Sequence, residues 1–150
     1  MDVVYLVTRE SGQYLRAHSR VGRRLPAYST ALGKALLAEL DGADLHEHLP
    51  AELTPLTEHT ITDRAALTAD LARAREDGHS VDREENTEGV RCFAVPLRYS
   101  EAAGDAISCS VPLARLTPAR ENDIVTTLKR ARDQIEQEAM AVELDHLGEH

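Results

Sequence analysis

The stretch Asp82-Arg83-Glu84-Glu85-Asn86-Thr87-Glu88-Gly89-Val90-Arg91-Cys92-Phe93-Ala94-Val95-Pro96 reads as two strands and a tight connection. Successive strand side chains point to opposite faces, so Val90, Cys92 and Ala94 separate from Arg91, Phe93 and Val95. One face is small and the other bulky. Ile107-Ser108-Cys109-Ser110-Val111 repeats the split, with Ser108 and Ser110 on one face and Ile107, Cys109 and Val111 on the other. Two strands with small, weakly polar faces leave room for a cavity on that side. Upstream, residues 79–85 continue an extended pattern in which Asp82 aligns with Ser80 and Glu84, opposite Val81. An ionised carboxylate accepts hydrogen bonds, so Asp82 can receive one from a ligand hydroxyl or a protein donor; an exposed charge on an edge strand is the alternative.

The 150 residues fit one domain, long enough to bury a core without disulfide or metal staples. With 17 basic against 26 acidic residues the net charge is -9, which opposes binding to a phosphate backbone. No tryptophan and a single phenylalanine leave no aromatic platform for stacked bases and make the core aliphatic. Cys92 and Cys109 are the only cysteines; each lies inside an apolar strand pattern, outside any Cys-x-x-Cys motif, and both read as free thiols. No run approaches the roughly 20 apolar residues of a membrane span. Nor does the start, Met1-Asp2-Val3-Val4, carry a basic then apolar signal segment, and the expected location is the cytoplasm.

At the start, the β-branched run over residues 3–8, the turn Ser11-Gly12 and residues 14–18 predict a hairpin. So abrupt an opening reads as an N-terminally trimmed domain. The basic turn Gly22-Arg23-Arg24-Leu25-Pro26 leads to Ser29 and Thr30, which cap a helix predicted over residues 31–40 with a buried stripe of Leu32, Leu36 and Leu40. The free N–H groups of its first turn suit an anion, although an ordinary capped core helix has the same pattern. A short helix over residues 44–49 stops at Pro50; His46, Glu47 and His48 on it do not share a face as metal ligands would. The next helix starts at Thr62 or Asp63, buries Leu67, Leu71 and Ala74, exposes a charged face and ends at Gly78. Thr117-Pro118 opens a long last helix, whose stripe of Ile124, Leu128, Ala131, Ile135 and Val142 is expected to lie across the bulky face of the sheet.

Taken together, these residues resemble the effector-binding domain of IclR-type bacterial transcriptional regulators. The resemblance rests on Gly22-Arg23-Arg24-Leu25-Pro26, then Ser29-Thr30-Ala31-Leu32-Gly33-Lys34-Ala35-Leu36-Leu37-Ala38, the helix end over residues 73–78, Glu84-Glu85, and Glu88-Gly89-Val90-Arg91-Cys92-Phe93-Ala94-Val95-Pro96. Residues 106–116 and Thr117-Pro118 complete it, in the family's order and over almost the whole chain. It implies an α/β (α+β) fold, a GAF-like or profilin-like curved antiparallel sheet with packed helices and a pocket on one side. It also implies a small organic acid as effector, a homodimer or homotetramer, and DNA binding through an N-terminal winged helix-turn-helix domain that this chain lacks. By resemblance, Ala31 and Leu32 match the helix-entry amides that contact ligand oxygens, and Asp82 the polar residue of the pocket wall. Val90 and Cys92 match strand positions facing the ligand, Ser108 and Ser110 the hydroxyl pair on the next strand, and Tyr14 the far wall. The chain departs from the family at Val111-Pro112, where glycine commonly precedes proline.

Under this reading the helix-entry amides, Ser108 and Ser110 hold a ligand carboxylate. Asp82 then bonds a ligand hydroxyl or stays protonated, because a second ionised carboxylate there would be repelled. No cofactor and no metal is expected. Three other readings compete. A cysteine-dependent enzyme would use Cys92 but lacks a neighbouring base in the sequence. An oligomerisation module with a vestigial pocket would use the long helix and a sheet edge. A zinc-binding variant would draw on the 7 histidines, whose spacing forms no closed ligand set.

Overall fold

The computed structural model describes residues 1–17, 20–99 and 104–147, with the side chains of 143–147 left aside. Antiparallel strands β3 (Ser80–Arg83), β4 (Val90–Leu97) and β5 (Asp105–Pro112) form the central sheet in that order. A separate two-stranded sheet pairs β1 (Asp2–Val4) with β2 (Arg24–Pro26). The helices are α1 (Ala31–Leu37), α2 (Gly42–His48), α3 (Arg64–Asp77) and α4 (Pro118–Leu147). The mixed fold with antiparallel sheets is the one expected from the sequence.

The central sheet is two-faced as its alternation predicts. Val81, Phe93 and Val95 pack with Ile107, Cys109 and Leu128 in a cluster roofed by α4. Ala94, Cys92 and Ala106 on the other face pack against Ala31, Leu32 and Ala35 of α1. Behind α1 a third cluster joins Val3, Tyr28, Leu37, Leu67 and Leu71. Apolar surface is therefore buried on both sides of one sheet, in two helical layers.

Caps fix the helix starts. Thr30 Oγ1 accepts the Gly33 amide at 3.0 Å, and Asp63 Oδ1 accepts the Ala66 amide at 2.7 Å. Gly78 ends α3 in the left-handed region, at φ 68°. At Gly33 a Cβ would lie 2.2 Å from the Ala27 backbone, so glycine is what lets α1 settle onto the 3-10 turn at Ala27–Ser29.

Several expectations are corrected. Instead of pairing with residues 14–18, the first strand runs against β2, and the Tyr5 backbone amide donates to the Arg23 carbonyl at 3.1 Å. Residues 6–17 form neither strand nor helix, and His18 lies outside the described residues. Turn chemistry at Ser11-Gly12 does not select a strand partner. Helix α1 ends at Leu37 and is buried almost all round, while Leu32, Leu36 and Leu40 are only half-buried. The polar face of α3 is not wholly exposed, since Asp70 is buried. Glu84 leaves the strand alternation altogether, with φ 64°. On α4 the stripe holds through Ile135, but Val142 is exposed.

Candidate functional site

Strand register assembles the small-faced wall. Asp82 lies opposite Cys92 and Cys92 opposite Ser110, so one cross-strand row carries a carboxyl, a thiol and a hydroxyl. The next row is Ser80, Ala94 and Ser108, and Val90 lies beyond Cys92 on the same face. Ser80 donates its hydroxyl to the Ala31 carbonyl at 2.7 Å, which ties the start of α1 over this wall. Thr30 takes the Gly33 amide on its side chain and the Lys34 amide on its carbonyl. The Ala31 and Leu32 amides of this first turn have no intrahelical acceptor. Ala31, Leu32 and Cys92 thus belong to one cluster, with Asp82, Ser108 and Ser110 on its sheet side. The wall opens towards Ser110, which is exposed, while Ser108, Cys92 and Val90 are half-buried.

Two candidates change meaning. Tyr14 is fully exposed, because its segment pairs with no strand, and it lines no wall. Tyr5 stands near the site in its place. Its hydroxyl is pushed above its ordinary value by burial first and then by the neighbouring Cys92 and Asp82, against the pull of Arg23. The Val111 side chain pairs across from Arg91 on the α4 side of the sheet, so the departure from glycine does not point into the wall.

Asp82 is 3% exposed. Its Oδ1 accepts the amides of Glu85 at 2.7 Å and Asn86 at 3.4 Å. Burial raises its pKa to about 6, assisted by the Glu85 carboxylate and opposed by those amides and by Lys34. Burial likewise pushes the Cys92 thiol up to about 12, with the charge of Asp82 adding to it. Its sulfur is 3.0 Å from Ser110 Oγ. A thiol held neutral in this way is no nucleophile at pH 7.

Beneath the wall lies a charged group that the sequence reading missed. Lys34 on α1 is 0% exposed, and its ammonium donates to Asp70 of α3 at 2.8 Å and to Glu85 at 2.7 Å. Arg73 reaches Asp70 from outside at 2.9 Å. Burial opposes ionisation of Asp70, yet Lys34, Arg73 and Arg83 together hold its carboxyl below the ordinary range. The turn bearing Glu85 is held by hydroxyls, since Thr57 donates to the Glu84 carbonyl and Thr60 to that of Glu85, each at 2.6 Å. Those bonds support the left-handed Glu84. A signal for this group was present, because Lys34 sits among Ala31, Ala35 and Ala38 and Asp70 among Leu67, Leu71 and Ala74, both at helical core spacing.

No group of three or more potential metal ligands occurs among the described residues. A shallow, open crevice lies elsewhere, between Ala35, Glu39, Ala74, His79 and Arg98, and none of the candidate residues lines it.

The family model described as bacterial transcriptional regulator IclR C-terminal matches residues 1–137. The chain belongs to the IclR family. Among its IclR relatives, the HTH-type transcriptional regulator XynR of Escherichia coli K12 is 39% identical over 140 residues, covering 93% of this chain and 53% of XynR. The chain spans about half the length of the curated relatives it matches. The crystal structure of the regulator RHA06195 from Rhodococcus sp. RHA1 superposes with a TM-score of 0.86 at 33% identity, covering 94% of this chain and 58% of that one. A double mutant of the PobR inducer binding domain from Acinetobacter, in complex with 3-hydroxybenzoic acid, superposes with a TM-score of 0.71 at 31% identity, covering 78% and 69%. These IclR relatives are transcriptional regulators with C-terminal effector-binding domains, not enzymes.

Proposed function

We propose that residues 1–150 are the effector-binding domain of a DNA-binding regulator and that the effector is a small organic acid. The observation that carries the reading is the single row of Asp82, Cys92 and Ser110 facing the start of α1. It offers hydroxyls, an acidic group and two helix-entry amides around a small apolar floor, the mixture that orients a polar ligand without chemistry. In this reading the Ala31 and Leu32 amides with Ser108 and Ser110 bind the carboxylate, Val90 and Cys92 form the floor, and Asp82 faces the acid or its hydroxyl. That the PobR domain takes 3-hydroxybenzoic acid supports this ligand class.

A net charge of -9 opposes DNA binding by this domain itself, so DNA contact belongs to an N-terminal winged helix-turn-helix in the whole protein, a cytoplasmic homodimer or homotetramer. No described helix is long and apolar enough to cross a membrane. Effector binding acts on DNA only through different affinities for two subunit arrangements. Isothermal titration of the chain with a panel of organic acids, 3-hydroxybenzoate included, tests the reading. Saturable binding that is lost in the Ser108→Ala, Ser110→Ala double variant is expected; equal binding by that variant, or none by the folded parent, rejects it.

A purely associating module remains the second reading, favoured by the exposure of Leu6 at 68% and Val7 at 86%. Light scattering alongside ligand-induced melting shifts separates the two, because a scaffold associates without saturable stabilisation.

A further inference from the structure

Asp82 sits where several elements deliver charge. Lys34 comes from α1, Asp70 from α3, Glu85 from the turn after β3, Cys92 from β4, and Tyr5 from the segment after β1. None of these is a histidine. The buried cluster holds three carboxyl groups around one ammonium, and the ammonium is already shared: Lys34 contacts Asp70 at 2.8 Å and Glu85 at 2.7 Å. Arg73 adds a second positive charge, but on Asp70, and Arg83 also turns to Asp70, at 3.7 Å. Lys34 is the buried cation of the cluster and pairs with Asp70 and Glu85, while Arg73 and Arg83 approach Asp70 from exposed positions. The groups that bond Asp82 are neutral: the two amides at Oδ1 and the Cys92 thiol. An ionised Asp82 would be a buried charge without a salt bridge of its own, eased only by the nearby Lys34, and a ligand carboxylate on the same wall would add a second.

We infer that Asp82 meets a carboxylate effector as a neutral carboxylic acid that donates a hydrogen bond to it, so that effector binding takes up one proton from solvent. The inference rests on the organic-acid reading above and deepens it. A proton already held to about pH 6 in the free domain is consistent with this arrangement. The site then discriminates for anions twice, through donors at the amides and serines and through an acid that would repel the same anion once ionised. Effector affinity becomes a function of pH, falling about tenfold per unit once the free domain has lost the Asp82 proton.

The test is isothermal titration with 3-hydroxybenzoate and, separately, pyruvate, both ionised from pH 5.5 to 8, in phosphate and in Tris. The parent chain is expected to bind about fifty-fold more weakly at pH 8 than at pH 6, with a buffer-dependent enthalpy that corresponds to about half a proton taken up at pH 6 and about one at pH 8. D82N keeps a neutral group with both an acceptor and a donor, and is expected to bind with a flat pH profile. E85Q removes the carboxylate that raises Asp82, and its profile is expected to shift to lower pH. Saturable binding by the parent with constant affinity and no buffer dependence overturns the proton linkage and leaves the organic-acid reading standing, as does an unaltered pH dependence in D82N. Failure of both acids to bind at pH 5.5 overturns the organic-acid reading and the linkage with it.

Discussion

Deprotonating Asp82 in the folded chain leaves a charge that two amides stabilise and that burial and Glu85 disfavour, so its consequences extend to stability as well as recognition. A carboxyl whose folded pKa, about 6, exceeds its ordinary 3.8 contributes stability that is complete below 3.8 and lost as pH rises through about 6. D82N carries no such penalty. Its unfolding free energy relative to the parent is expected to rise between pH 4 and pH 7 by about 1–3 kcal/mol, read from urea midpoints at several pH values. A constant difference across that window would mean that Asp82 titrates normally. Cys92 gives a companion expectation: held up at about 12, it should react with iodoacetamide in the native chain at least about a hundredfold more slowly than free cysteine. At this scale strand alternation made Asp82, Cys92, Ser108 and Ser110 legible, because period-two geometry fixes faces without any knowledge of partners. The tyrosine was not legible. Tyr5 and Tyr14 both fit a hairpin pattern, and which of them reaches the wall depends on long-range pairing with residues 22–26.

Helix α1 is the element that positions the site, and it does so through two residues with opposite demands. Gly33 admits close backbone contact, and any Cβ there meets the main chain of Ala27, which cannot move aside like the end of a side chain. Gly33→Ala is expected to destabilise by at least about 3 kcal/mol. Gly78→Ala, where a Cβ meets only the end of the Lys129 side chain at 3.6 Å but φ is +68°, should lose only about 1 kcal/mol. Lys34 makes the reverse demand, since its long side chain must reach both Asp70 and Glu85. Lys34→Met would leave Asp70 and Glu85 buried without their shared partner and is expected to destabilise by about 3–5 kcal/mol, whereas adding Asp70→Asn and Glu85→Gln should recover most of the loss. Equal destabilisation of the single and triple variants in thermal melts would show that packing, not charge, holds this element. The caps, and the glycine that ends α3, were readable in the sequence because they obey local rules. The buried ion group was readable only in halves: core spacing marks Lys34 and Asp70 on their separate helices, but their pairing depends on how the two helices pack.

Across the whole molecule, the long C-terminal helix shows where local pattern outruns tertiary support. Its apolar stripe reads as continuous through Val142, yet a 30-residue helix is about 45 Å long and the 8-residue strands beneath it about 27 Å. Support therefore ends before the pattern does: Leu128 is buried against Phe93 and Val95, Ile135 is half-buried, and Met140 and Val142 are 52% and 58% exposed. The IclR match also ends at residue 137. A chain ending at residue 137 is expected to retain its monomer stability within about 0.5 kcal/mol, while Leu128→Ala, which empties a packed position on the same helix, should lose about 2–4 kcal/mol. Urea unfolding at low protein concentration measures both. If the shortened chain unfolds as readily as Leu128→Ala, the last turns of α4 are part of the folding unit. If it keeps its stability but loses self-association in light scattering, those turns belong to contacts between copies, as their exposed methionine and valine would favour.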